Sequence, residues 1–320
     1  MPDLKGKTLG WVGTGRMGYA LATRLLEAGC DVAVYNRTKA KAEPLAELGA
    51  TVVDNPAALA DRDVVFTMVA GPEDFKAVVL GEDGLLSTSD AAPSVIVDSS
   101  TVSPHASAEV RVETDARGVA LLAAPVSGNP SVVDAGKLTV VVSGPDEAWE
   151  TARPYLELFG AGATYVGEGD VARLVKICHN LMLGVVAQSL AEITVLAEKG
   201  GVSRADFLAF LNDSVMGSTF TRYKTPAFVN LDFTPTFTPA LLLKDFDLGF
   251  EAARELEVPM PVAAVTQQIV RGMLGQGYDD IDFAALLELE ARASGHDLEP
   301  ENVPVSDGLG GERAAAAAHA

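Results

Sequence analysis

The sequence predicts an α/β chain: an N-terminal doubly wound sheet of parallel strands, followed by an all-α domain entered along one long interdomain helix. Three observations carry this expectation. Residues 1–169 alternate short β-branched runs with helical stretches; a glycine-rich turn follows the first run; and from about Asp170 onward the periodicity is helical, with no convincing strand.

In chain order, strands are expected at Thr8–Val12, Asp31–Tyr35, Thr51–Val53, Val64–Met68, Ser94–Asp98, Val119–Ala123, Leu138–Val142 and Thr164–Val166. They are short and apolar on both faces, as strands covered by helices on both sides are. Met17–Glu27 and Thr38–Leu48 read as intervening helices, and strand–helix–strand alternation implies right-handed crossovers. Asp170 reads as the cap of a long helix that ends near Lys199, where Gly200 and Gly201 follow. Later helices are expected at Arg204–Leu211, Pro239–Leu256, Pro261–Leu274 and Phe283–Ser294. Tyr223–Pro239, rich in Pro, Phe and Thr, reads as an ordered loop. Glu299–Ala320 lacks core-forming residues and reads as a disordered tail. The domains expected are therefore 1–169, 170–298 and the tail 299–320.

A chain of 320 residues suggests two domains at about 150 residues each. Its formal charge of −20 argues against non-specific nucleic-acid binding and against an anionic membrane surface, both of which select basic patches. Cys30 and Cys178 cannot make a disulfide framework, and both read as buried free thiols. The opening MPDLKGKTLGWVG lacks the apolar run of a signal peptide. The nearest approach to a membrane span, Ile177–Ala197, carries His179, Asn180, Gln188 and Glu192, which suit a protein interior. A reduced, cytoplasmic protein is expected, with no metal site.

Gly13-Thr14-Gly15-Arg16-Met17-Gly18 follows the first strand and opens the first helix. In that context the three glycines serve a tight turn, a close approach of backbone to pyrophosphate, and helix–strand packing, which is the Rossmann dinucleotide signature. The second strand ends at Asn36-Arg37-Thr38. An NAD site usually places an acid there, for the ribose 2′-hydroxyl. An amide, a guanidinium and a hydroxyl instead suit a 2′-phosphate, so NADP is expected over NAD.

Further motifs then fall in the order of a known family: VDSSTVSP (Val97–Pro104), APVSGNP (Ala124–Pro130), GEGDVARLVKICHN (Gly167–Asn180), LLLKDFDLG (Leu241–Gly249) and YDDIDFAAL near the end. With GWVGTGRMG they make the chain resemble the β-hydroxyacid dehydrogenases over about Thr8 to Ser294. That family includes 3-hydroxyisobutyrate dehydrogenase, tartronate semialdehyde reductase, glyoxylate and succinic semialdehyde reductases, and 6-phosphogluconate dehydrogenase. The resemblance implies that Thr101 lies near the nicotinamide, that Ser127, Gly128 and Asn129 bind substrate, and that Lys176 with Asn180 is catalytic. It also implies that Met68, Val69, Ala70 and Lys244 line the cofactor, and that the substrate is a small acid; a homodimer or homotetramer is expected because the long helix and its neighbours carry more apolar surface than one small domain can cover.

The residues themselves are consistent with that chemistry. Lys176 and Asn180 are four apart on one helix and share a face. A buried lysine has a lowered pKa that suits proton exchange near neutrality. Asn180 can orient it or bond the same substrate oxygen, whereas His179, one step off that face, reads as structural. Ser127-Gly128-Asn129 is a polar turn whose hydroxyl and N–H groups suit a carboxylate. The chain departs from the family at Ala123, where many members have Asp, and at Asn129, Asp170 and Ala172, where they have Gly. Asn tolerates left-handed backbone, and its side chain at 129 is expected to protrude toward the pocket. The reading is a hydride-transferring oxidoreductase of small hydroxy acids and their semialdehydes or keto acids. An imine reductase is the enzymatic alternative, although Lys176 speaks against it. An inactive NADP-binding scaffold is the non-enzymatic one. The C-terminal half is too short for a decarboxylating sugar-acid dehydrogenase.

Overall fold

The computed structural model describes Leu4 and residues 6–310, and its contacts divide the chain into two units, Met1–Lys176 and Ile177–Ala320. In the first unit, β1 (Thr8–Val12) leads through α1 (Arg16–Glu27) to β2 (Asp31–Tyr35), β3 (Thr51–Val52) and β4 (Val64–Thr67). Then come α2 (Pro72–Leu80), β5 (Val95–Asp98), α3 (Pro104–Ala116) and β6 (Ala120–Ala123). These six strands form one parallel sheet in the order β3-β2-β1-β4-β5-β6. The chain runs outward from β1 on one side and returns to β4 on the other, so its winding reverses between β1 and β4. That is where doubly wound sheets open a crevice at the strands' carboxyl ends. In the core Trp11 stacks on Phe66 and Phe159 meets both edge-on, with ring centroids 5.5–6.0 Å apart.

Two expectations for this unit are corrected. Thr38–Leu48 is not a helix but two 3₁₀ turns, Lys39–Lys41 and Glu43–Leu48, because Pro44 has no N–H and disfavours helical backbone before it. The last two expected strands also leave the main sheet. β7 (Val126–Ser127), α4 (Pro130–Asp134), β8 (Leu138–Val142), α5 (Asp146–Leu156) and β9 (Gly160–Tyr165) follow, and the strands form a separate sheet in the order β7-β8-β9. β7 is antiparallel to β8. Thr139 and Val141 are less buried than their neighbours, the alternation of a sheet covered on one face.

Helix α6 (Val171–Lys199) begins in the first unit and continues into the second. It is long and apolar enough to cross a membrane by length and composition alone, contrary to the sequence reading. Half of its most apolar window is buried, and Ile177, Leu181, Leu190 and Val195 belong to the helical core. The second unit adds α7 (Arg204–Asp213), α8 (Thr219–Asn230), α9 (Pro239–Glu255), α10 (Pro261–Gly275) and α11 (Leu286–Ala293). Helix α8 replaces the first half of the expected loop 223–239. Pro226 obscured it, yet a capping box between Ser218 and Thr221 starts this helix, and Thr225 Oγ1 donates back to the Thr221 carbonyl. The remaining loop is held by Asp282, which accepts from Thr236 N (2.9 Å), Thr236 Oγ1 (2.7 Å) and Lys224 Nζ (2.5 Å).

Burial alone would raise the Asp282 carboxyl, but Lys224 and these donors outweigh it and hold it below the usual carboxylate range. Asp170 is likewise held low: burial opposes this, and Arg111 and Ser107 overcome it. A carboxyl depressed in the folded state contributes stability that is complete above the unfolded value, about pH 4, and lost as pH falls through the folded value. Scanning calorimetry should therefore show Tm falling steeply below about pH 4. Asp282→Asn, which leaves Lys224 buried without its counter-ion, should cost about 3–5 kcal/mol at neutral pH.

The tail is also corrected over residues 299–310, while 311–320 lie outside the described residues. Both carboxylate oxygens of Glu301 cap α7, accepting from Arg204 N (2.6 Å) and Ala205 N (3.1 Å). The Glu299 carbonyl accepts from the buried Arg204 guanidinium, Asn230 and Val303 exchange two hydrogen bonds, and Leu309 is buried. Few apolar residues are involved, so composition missed a segment secured by polar contacts. Truncation after Leu298 should lower Tm by about 5 °C or more, since it strips the buried Arg204 guanidinium and the first N–H groups of α7 of acceptors; an unchanged melting curve would show these contacts to be idle.

Candidate active site

The Gly loop sits at the end of β1, beside the point where the winding reverses. Gly13 donates to the Tyr35 carbonyl at 2.8 Å and has φ +96°. A Cβ there would lie 2.2 Å from the Met68 carbonyl oxygen, and one at Gly18 would lie 1.9 Å from the Gly13 oxygen. Both glycines are thus required by the protein's own packing. At Gly15 nothing lies within 4 Å, so the backbone there faces open space. Helix α1 starts on Gly15 with no side-chain cap and no acid in its first turn. Helices α3, α4, α7, α8 and α9 are capped by Ser103, Asn129, Ser203, Ser218 and Thr238, whereas α2, α5, α10 and α11, like α1, have no side-chain cap. The positive dipole end of α1, with no side-chain cap and no acid beside it, suits phosphate. Within the loop, Thr14 Oγ1 is buried with no hydrogen-bond partner among the described residues. The loop fits a dinucleotide.

Its neighbours are the residues the sequence indicates. Asn36 Oδ1 accepts from Thr14 N at 2.9 Å, and Asn36 Nδ2 donates to the Thr38 carbonyl, so Asn36 joins the Gly loop to the end of β2. Arg37 is 84% exposed and pairs with Asp74, in the first turn of α2, at 3.0 Å. Met68 donates to the Val12 carbonyl, and Val69 N donates to Ser100 Oγ at 2.9 Å. Gly13–Gly18, Asn36–Thr38, Met68–Ala70 and the Ser99–Thr101 loop therefore gather at the carboxyl ends of β1, β2, β4 and β5.

The catalytic candidates lie elsewhere along the chain. Lys176 is half-buried on α6 rather than fully buried. Asn180, one turn on, is buried; its Nδ2 donates to Asp245 Oδ2 at 2.5 Å, and its Oδ1 faces His179 Nδ1 at 2.9 Å. His179 thus steadies Asn180. Lys244 lies on α9, 3.5 Å from the same Asp245. Ser127, Gly128 and Asn129 form the turn from β7 to α4. The left-handed residue is Gly128, at φ +144°, where a Cβ would meet Leu138 and Val132 at 2.8 Å. Asn129 is extended, and its side chain caps α4 by accepting from Val132 N, so it does not protrude as expected. Cys178 is exposed, whereas Cys30 is buried and its thiol is pushed up by that burial.

Sequence reasoning missed four participants. Trp11 donates its indole N–H to the Gly13 carbonyl at 2.8 Å, beneath the loop. Asp74 occupies the guanidinium of Arg37. Asp98 and Arg173 form a buried ion pair at 2.9 Å. An arginine in an otherwise apolar first turn, three residues before Lys176, was the available signal.

This sheet and cradle define a dinucleotide-binding protein. A family model described as the NAD binding domain of 6-phosphogluconate dehydrogenase matches residues 8–167. A second, described as NAD-binding of NADP-dependent 3-hydroxyisobutyrate dehydrogenase, matches residues 167–289. The 2-(hydroxymethyl)glutarate dehydrogenase of Eubacterium barkeri is 31% identical over 293 residues, covering 91% of this chain and 97% of its own. A structure of Mycobacterium tuberculosis 3-hydroxyisobutyrate dehydrogenase with L-serine superposes with a TM-score of 0.76 at 28% identity, covering 88% of this chain and 98% of that one. An imine reductase of Myxococcus stipitatus, in complex with NADP⁺, shares the fold, with a TM-score of 0.57 at 23% identity over 88% of this chain and 99% of its own. The chain belongs to the β-hydroxyacid dehydrogenase family, and its NAD(P)-binding domains are those of an oxidoreductase.

Proposed function

We propose that this protein is an NADP-preferring dehydrogenase, or reductase, that interconverts a small hydroxy acid with its semialdehyde or keto acid. The observation that carries the reading is the cradle at the switch point, where an uncapped helix start and an open Gly15 meet a strand end bearing Arg37 and no acid. NADP supplies the hydride chemistry when bound. Lys176 takes the hydroxyl proton on oxidation and returns it to the carbonyl oxygen on reduction. Asn180, fixed by Asp245 and His179, presents one amide in one orientation. The Ser127 turn offers a hydroxyl and backbone N–H groups to the substrate carboxylate. Because the substrate is an acid and the chain is strongly negative, such local donors are required. A cytoplasmic homodimer or homotetramer completes the reading, supported by the family resemblance and the two unpaired cysteines.

The imine-reductase alternative shares the fold, but Lys176 favours the carbonyl reaction. The test is a turnover screen of small semialdehydes, keto acids and cyclic imines with NADPH and NADH, and of hydroxy acids with NADP⁺ and NAD⁺. Cofactor oxidation with a semialdehyde or keto acid, and none with imines, is expected. Turnover confined to imines would overturn the reading. Cofactor binding without turnover on any of these compounds would identify a scaffold.

A further inference from the structure

Asp98, fully buried at the end of β5, accepts at Oδ1 from Thr67 Oγ1 (2.6 Å) and Ser100 Oγ (2.7 Å). Its Oδ2 is 2.9 Å from Arg173 Nη1, which also donates to the Ser100 carbonyl at 3.2 Å. Ser100 Oγ in turn accepts the Val69 N–H. Arg173 is 1% exposed, lies over the Phe75 ring at 5.6 Å, and approaches Asp170 at 3.7 Å. Asp170 is itself held by Arg111 (2.8 Å) and Ser107 (2.5 Å). Arg173 Nη2 has no hydrogen-bond partner among the described residues. A buried ion pair contributes little to stability that a well-packed apolar pair would not. This one, however, ties three segments together: the turn after β4, the Ser99–Thr101 loop, and the first turn of α6, whose next turn carries Lys176.

We infer that Arg173 is a positioning residue, a clamp that fixes the Thr101 loop and the start of α6 as one piece and so sets where Lys176 meets the reacting carbon. The inference rests on the function proposed above for Thr101 and Lys176. Asp170 is part of the same device: it braces Arg173 from behind. Reacting groups displaced by about 1 Å lose on the order of 10² in rate, even when the phosphates bind unchanged.

The test is the double variant Arg173→Met with Asp98→Asn, which leaves no buried charge unpaired and keeps an acceptor for Thr67 and Ser100. The single Arg173→Met isolates Asp98 and is the variant expected to fold poorly. For the double variant, a parental circular-dichroism spectrum and melting within a few degrees of the parent are expected. Turnover should fall roughly 100-fold, while the NADPH dissociation constant moves less than about threefold. Adding Lys176→Ala to it should then cost far less than in the parent, because the lysine is already misplaced. A folded double variant with parental turnover, or a full additive loss on adding Lys176→Ala, would overturn the clamp. Hydrogen exchange reads the same device without catalysis: the Val69 and Ser100 amides should be protected in the parent and lose protection in the double variant. If the parent turns over no hydroxy acid or semialdehyde, the functional reading fails. Protection kept in the double variant would separately sink the clamp.

Discussion

Replacing Lys176 by alanine should lower turnover about 10²–10⁴-fold, the range associated with a positioned acid or base. Three features make this a clean experiment. Lys176 is half-buried within a 29-residue helix, so its side chain is not part of the apolar core. Alanine is the better helix former, so α6 should persist. The phosphate cradle belongs to α1, so the NADPH dissociation constant should move less than about threefold, a shift worth well under 1 kcal/mol. Stopped-flow turnover and cofactor titration on the same preparation decide it. Near-parental turnover would remove Lys176 from the chemistry and direct attention to Lys244 and Asp245 on α9.

The second large effect concerns cofactor choice. Asn36→Asp with Arg37→Leu should weaken NADPH about 10–150-fold, the equivalent of roughly 1.5–3 kcal/mol for a charge-assisted guanidinium–phosphate contact, and bring NADH level or ahead. The geometry refines this. Arg37 pairs with Asp74 at 3.0 Å, so a 2′-phosphate must draw the guanidinium from an existing partner, and the lower part of the range is expected. Asp at 36 still accepts the Thr14 N–H but loses the donor to the Thr38 carbonyl, so the loop should survive. Asp74→Asn should move the other way and tighten NADPH, and added salt should weaken NADPH more than NADH because the pair is exposed. A parent that already prefers NADH would end the reading of Arg37 as a phosphate clamp.

What the sequence made legible follows the range of the interactions involved. The strand–glycine–helix unit is contiguous in the chain, so the spacing of Gly13, Gly15 and Gly18 alone implied the cradle, even though the atom that bars a side chain at Gly13 is the distant Met68 carbonyl oxygen. Lys176 and Asn180 could be paired from helical spacing. Non-local polar contacts left no such trace. Nothing in the spacing of Asp98, Arg111, Asp170 and Arg173 shows that they meet, because three separate elements bring them together. Residues 299–310 read as unstructured because polar contacts hold them, and composition counts apolar residues only. Helix α8 was hidden by Pro226, whose local rule was overridden by a capping box and by burial of Phe228 and Val229. At Asn129 the reading failed for a simpler reason: its left-handed neighbour is Gly128, one residue earlier, which leaves Asn129 extended and able to cap.

The bond from Trp11 to the Gly13 carbonyl has an optical consequence. The chain has two tryptophans, and Trp11 is wired through its indole N–H to the first glycine of the Gly loop. The other, Trp149, stacks on Tyr165 with Arg153 over its ring. Tryptophan emission overlaps the absorption of reduced nicotinamide, so the protein carries its own fluorophore against the Gly loop. With Trp149 replaced by Phe, the remaining emission becomes a single-site gauge of occupancy at the cradle, with no label and no substrate, and it separates loading of the enzyme from everything that follows.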